Sequence, residues 1–210
     1  MSAPGTHDFA VVSTQDVHIG RVVALRVDDV RMPGGSVARR EVVEHMGAVA
    51  IAAVDDEQRI TLIHQYRHPL GHRIWELPAG LLDEHGEAPV ETARRELVEE
   101  AGLTARTWET LVDVAASPGF TDEVVRVFLA RGVSEVDRAE LGHDDEEADL
   151  VVHKVPLAEA VRMALAGELV NGATVAGVLA AHAVLTGASR TRPVDAPWED
   201  RPTTFGRRHR

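Results

Sequence analysis

An α/β fold is what the sequence predicts: a mixed sheet in an α/β/α sandwich, with a small additional β-sheet at the N-terminus. Three observations carry this. Ala48 to Val54 is a continuous apolar run, the mark of a buried strand. The helix after Ala88 has clean boundaries, with Pro89 in its first turn and Gly102 at its stop. Several strands precede this helix, several follow it, and two helices come last. Strands and helices do not alternate strictly, which argues for a mixed sheet over a doubly wound parallel one.

Taken in order, residues 17–30 are rich in Val and suggest strand pairing up to the turn Met32-Pro33-Gly34-Gly35. A second extended stretch runs from Val37 to Glu44. Such a sheet is too small to fold alone and must pack on something larger. Ala48 to Val54 and Ile60 to Tyr66 are strands separated by the polar turn Asp55-Asp56-Glu57-Gln58. Ile74 to Leu77 is a short strand ending at Pro78. Leu111 to Ala115, Val124 to Ala130 and Leu150 to Val155 continue the sheet. The closing helices run about Leu157 to Ala166 and Ala173 to Thr186. After Ser189 the chain has no periodicity and reads as a surface tail, with a disordered end expected at Arg207-Arg208-His209-Arg210.

Composition narrows the function classes. The 210 residues, 44% hydrophobic and 27% charged, are enough for one domain with a core and a small extra lobe. A formal charge of −12 disfavours general nucleic-acid binding, where affinity comes mostly from neutralising phosphates. Zero Cys removes disulfides, thiolate catalysis and Cys-based zinc sites together. No apolar run is long enough to span a membrane, and Met1 to Phe9 lacks the basic start and apolar core of a signal peptide. The expectation is a cytoplasmic protein. His64, His68 and His72 recur every fourth position, but Pro69 and Gly71 break any helix there, so they read as scattered surface His.

The chemistry lies between Gly80 and Leu103. Glu96, Glu99 and Glu100 stand at i, i+3 and i+4, on one face of the predicted helix. Like charges so spaced repel, and three of them aimed at one point suggest a cation. All-oxygen ligands suit Mg²⁺ or Mn²⁺ better than zinc. Arg95 can pair with Glu87 in the preceding loop or with Glu91 one turn earlier, and either contact would fix the loop to the helix. An isolated E-x-x-E-E would be an ordinary solvated helix face, since Glu is common on helices.

The flanking residues decide otherwise. The stretch follows G-x6-E-x7-R-E-U-x-E-E-x-G-U, with U a bulky aliphatic residue. Seven fixed residues at fixed spacing arise by chance on the order of once in a million chains of this length. This segment resembles the Nudix box; its first gap is six residues where the usual gap is five. Gln65-Tyr66-Arg67, Trp75-Glu76-Leu77-Pro78-Ala79-Gly80 and Ser117-Pro118-Gly119-Phe120-Thr121-Asp122-Glu123 are similar to the ADP-ribose pyrophosphatase branch of that family, as is the acidic run Asp144 to Asp149 before a strand. The resemblance covers about residues 8 to 187.

The resemblance implies Mg²⁺-dependent hydrolysis of ADP-ribose to AMP and ribose 5-phosphate, with Mn²⁺ as an alternative ion. It implies metal binding by Glu96, Glu100 and the Ala79 carbonyl, with help from Glu147, and a supporting or third-metal role for Glu99. Arg67 would bind a phosphate, the alternative being a plain salt bridge at a strand end. Asp122 and Glu123 would touch ribose or metal-bound water, or form only a polar loop. Glu147, by its spacing to Ala148-Asp149 and the next strand, is the implied catalytic base, and Glu146 is next in line. Other substrates stay open: a nucleotide sugar, a dinucleotide coenzyme, or binding of ADP-ribose without hydrolysis. The branch implies a homodimer through the N-terminal β segment, residues 1–46, with Arg40 and Glu41 reaching the partner's substrate. Residues 47–188 then form the hydrolase domain and 189–210 the tail.

Overall fold

The computed structural model describes residues 5–136 and 150–208. The chain divides into two compact units. The larger comprises Ala48–Val114 and Val125–Glu199; the smaller comprises Met1–Gly47, Ala115–Val124 and Asp200–Arg210.

In the larger unit, β4 (Ala48–Val54), β5 (Arg59–Arg67), β6 (His72–Glu76), β7 (Ala79–Leu81), β8 (Leu103–Ala115), β9 (Val124–Glu135) and β10 (Val151–Pro156) form a seven-stranded sheet. Its backbone order is β10-β5-β4-β9-β8, with β6 paired to β5 and β7 to β4. The β4–β9 pair is parallel, whereas β5 runs antiparallel to β4, β6 and β10, so the sheet is mixed as expected. β4 explains its own composition. Ala48, Ala50, Ala52 and Val54 enter a core with Leu157, Ala160, Val178 and Ala181 of the two helices that follow β10. Val49, Ile51 and Ala53 enter a second core with Ala93, Leu97 and Ala101 of the first helix. Both faces are covered, so every position is apolar.

Helix α1 (Pro89–Ala101) keeps the predicted boundaries: proline opens it, and Gly102, at φ +64°, closes it in the left-handed region. Helices α2 (Leu157–Leu165) and α3 (Gly172–Leu185) cover the other face. β8 is much longer than the predicted Leu111–Ala115, because its start alternates exposed polar residues with Leu103 and Ala105 and lacks an apolar run.

In the smaller unit, β1 (Val11–Ile19), β2 (Val23–Arg31) and β3 (Val37–His45) form an antiparallel sheet in chain order. The Val-rich stretch 17–30 therefore crosses two strands. The chain reverses where Gly20 N–H donates to the Val23 carbonyl at 2.9 Å. The turn at Met32–Gly35 forms as read, with Gly35 at φ +85°.

The segment after Ser189 departs from a surface tail. Ala196 and Phe205 are buried, and α4 (Thr204–Arg208) is helical. In the larger unit, Arg126 donates to the Ala196 and Pro197 carbonyls at 2.7 and 3.0 Å and lies 4.6 Å from the Trp198 ring. In the smaller unit, Arg208 pairs with the fully buried Glu44, and with Asp16 at 2.7 Å. Sparse anchors such as these have no period, so composition alone cannot reveal them.

Candidate active site

The short strand β7 and the helix α1 build the site. β7 pairs with β4, which places Ala79 and Gly80 against the central strand. α1 presents Glu96 and Glu100 to this turn of chain. The Ala79 N–H donates to Glu100 Oε2 at 2.7 Å. Glu96 approaches the Gly80 backbone so closely that a Cβ there would stand 2.1 Å from its carboxyl carbon. The missing Cβ of Gly80 thus leaves the space that Glu96 occupies.

Electrostatics set these carboxylates apart from a solvated helix face. Burial pushes Glu100 up to about 8, against the stabilising Ala79 N–H. Burial likewise pushes Glu96 up to about 7, against the attraction of Arg95. Two acids held near neutrality by desolvation favour any bound cation that restores their charge.

Arg95 makes the loop contact expected of it. Its Nη2 lies 3.5 Å from Glu87 Oε2, while Glu91 is taken by Arg94 at 2.6 Å. Glu87 also accepts from Thr92 Oγ1 at 2.8 Å, so the loop is tied to the helix at two points. Arg95 Nη1 bridges Glu96 Oε1 at 2.8 Å and Glu99 Oε2 at 3.0 Å. Although burial opposes its charge, Arg95 is held above its ordinary value by Glu96 and Glu99. Glu96 and Glu100 both meet β7, and Glu99 shares with Glu96 the same Arg95 nitrogen. Among the described residues no three His, Asp or Glu side chains stand arranged around one point.

Arg67, at the end of β5, donates through Nε to Glu76 Oε2 at 2.7 Å. Its charge also acts on Glu100. The residue has the salt bridge of the simpler reading and still lies within electrostatic reach of Glu100. Sequence reasoning gives Glu76 and Asn171 no role, although Glu76 stands in the stretch Trp75 to Gly80 that carries the resemblance. Glu76 is nearly fully buried, and its second oxygen accepts from Asn171 Nδ2 at 2.6 Å. A carboxylate inside the apolar strand Ile74-Trp75-Glu76-Leu77 was the available signal.

The other candidates lie in the smaller unit. Arg40 and Glu41 are exposed on β3, and Arg40 donates to the Arg39 carbonyl at 3.0 Å. Asp122 Oδ1 accepts from the His45 backbone N–H at 2.8 Å, and Glu123 lies 3.9 Å from the His45 ring. Glu146 and Glu147 lie outside the described residues. Of the three His considered, His64 stacks on Trp75 at 4.4 Å, while His68 and His72 fall in a short 3₁₀ turn and in β6.

Residues 43–173 match the model of the NUDIX domain. The chain is 56% identical to the ADP-ribose pyrophosphatase of Mycobacterium tuberculosis, over 96% of this chain and 97% of that one. It is 41% identical to the ADP-ribose pyrophosphatase of Bacillus subtilis, over 78% and 86% of the two chains. It is also 45% identical to the methanol dehydrogenase activator of Bacillus methanolicus, over 67% and 75%. A solved structure of an ADP compounds hydrolase shares the fold, with a TM-score of 0.74 at 21% identity, covering 90% of this chain and all of the other. The carboxylate pair of α1 thus lies within a match that spans more than half of the sequence, and the chain belongs to the NUDIX family.

Proposed function

We propose that this protein hydrolyses ADP-ribose to AMP and ribose 5-phosphate with a divalent metal ion, Mg²⁺ or alternatively Mn²⁺. The observation that carries the reading is the placement of the half-buried Glu96 and the buried Glu100 against the Ala79-Gly80 backbone, with Arg67 within electrostatic reach of Glu100. The donor set fits a hard divalent ion: Glu96, Glu100 and the Ala79 carbonyl would offer it only oxygen, with Glu147 as a further ligand. A bound ion would neutralise diphosphate oxygens and acidify water. Glu147 takes the proton from the attacking water, with Glu146 orienting the loop or replacing it. Arg67 holds a phosphate through its planar donor fork. Glu99 supports the site through Arg95 or holds a further ion. Asp122 and Glu123 contribute ribose contacts. The pyrophosphatases of M. tuberculosis and B. subtilis support this choice of substrate.

The protein acts in the cytoplasm as a homodimer. Among the described residues no helix is long and apolar enough to cross a membrane. Every residue of the edge strand β1 is exposed, including Val11, Val17 and Ile19. So much open apolar surface on an edge strand marks a contact for another chain, here a second copy. Arg40 and Glu41 then reach the partner's substrate.

The deciding experiment offers purified protein a panel of ADP-ribose, nucleotide sugars, dinucleotide coenzymes and flavin dinucleotide with Mg²⁺, and measures kcat/KM for each. ADP-ribose should lead the panel. A nucleotide sugar preferred tenfold or more would reassign the substrate, and binding without turnover would leave a sensing module.

A further inference from the structure

Glu76 is 3% exposed, and a buried carboxylate is tolerated only when its oxygens are matched. They are matched by two different elements. Oε2 accepts from Arg67 Nε of β5 at 2.7 Å, and Oε1 accepts from Asn171 Nδ2 at 2.6 Å. Asn171 is held in turn. Its Oδ1 accepts from the Thr174 N–H at 2.9 Å and caps α3. Thr174 Oγ1 accepts from the N–H of Leu77, the residue after Glu76, at 2.9 Å. The start of α3 is therefore fastened to the end of β6 by two hydrogen bonds, and one of them ends on the carboxylate that grips Arg67.

The asparagine amide is used at both ends: its oxygen serves the helix and its nitrogen serves Glu76. Aspartate would cap equally well but offers no donor. Arg67 is anchored at Nε, yet its side chain is 41% exposed, so the guanidinium runs from a buried anchor toward solvent. An Nε anchor leaves the outer pair of nitrogens to serve as a two-pronged donor. A long side chain held in this way loses less freedom when it binds an anion than a free one does.

We propose that Asn171 and Glu76 are positioning residues that aim the Arg67 guanidinium at the substrate diphosphate. The proposal rests on the reading of Arg67 as a diphosphate ligand. It assigns the first residue of the α3 cap a role in substrate binding that helix stability alone does not need.

The test uses Asn171→Ser and Asn171→Asp, which both keep a capping oxygen and lose the amide donor. Steady-state kinetics on ADP-ribose with saturating Mg²⁺ should show KM raised about tenfold and kcat within about threefold. The Kd for ADP-ribose measured by calorimetry in chelator should rise in parallel. Thermal melts report the cap separately. Arg67→Ala, alone and combined with Asn171→Ser, completes the cycle. The expected result is a large KM rise in Arg67→Ala and less than a twofold further change on adding Asn171→Ser. If Arg67→Ala leaves KM unchanged, Arg67 is no diphosphate ligand and the proposal falls with it. If Arg67→Ala raises KM while both Asn171 variants melt lower or normally and keep wild-type KM, only the positioning role is overturned.

Discussion

Gly80 and Glu96 compete for one space: a Cβ on Gly80 would lie 2.1 Å from the Glu96 carboxyl carbon and from Oε1. What it would meet is a flexible side chain from Cγ at 2.3 Å outward, which can swing away at little cost to the fold. Gly80→Ala should therefore fold with a Tm within a few degrees of wild type while its carboxylate is displaced. A misplacement of about 1 Å in a catalytic group can cost about 10²-fold, and turnover should fall by that order. Melting curves and kcat on the same preparation check this; a Tm loss with intact kcat would contradict it.

Glu96→Gln and Glu100→Gln should each weaken metal binding and cut turnover by about 10²-fold or more. The ion-free fold should survive, because a neutral amide escapes the burial that raises both acids. Full activity in excess chelator, or with both residues replaced, would refute the metal reading.

The same two groups set a pH dependence. Their folded values, about 7 and about 8, lie above the usual carboxylate range. In the ion-free protein their stabilising contribution is complete below that ordinary range and is lost as pH rises through 7 to 8. Metal binding needs the deprotonated forms, so Mg²⁺ affinity should rise across this interval, by up to about tenfold per pH unit for each group, and level off above it. Calorimetry of Mg²⁺ binding in buffers of different ionisation enthalpy should detect proton release at pH 6.5 that fades by pH 9. The release should diminish in Glu100→Gln.

Glu147→Gln should lower kcat by ~10²- to 10⁴-fold, as for loss of a general base, while KM stays within a few-fold and Mg²⁺ binding at α1 persists. Should Glu146→Gln abolish turnover instead, the base is Glu146. If neither matters, Glu99 and Glu123 are next to test.

For the dimer, Val17→Asp and Ile19→Asp place charges on residues that are 55% and 50% exposed in the single chain. Sedimentation should show a wild-type dimer at micromolar concentration, a shift to monomer in the variants and lower kcat/KM. A wild-type monomer with full kcat at that concentration would count against shared active sites.

Local chemistry made much of this protein legible in its sequence. Pro89 and Gly102 bound α1 because proline lacks the N–H a helix start does not need, and glycine accepts the left-handed turn that ends it. The apolar run Ala48–Val54 announced a strand covered on both faces, and the spacing from Gly80 to Leu103 placed the carboxylates of α1 on one helix. Tertiary structure decided what spacing cannot express. Arg95 chose Glu87 over Glu91, and one of its nitrogens joined Glu96 to Glu99. Glu76 and Asn171, 95 positions apart, met across β6 and α3. Phe205 and Ala196 became buried in a segment without periodicity. A repeat in sequence reports which face of an element is apolar. Pairing between distant side chains depends on where separate elements come to rest, and no local pattern encodes that.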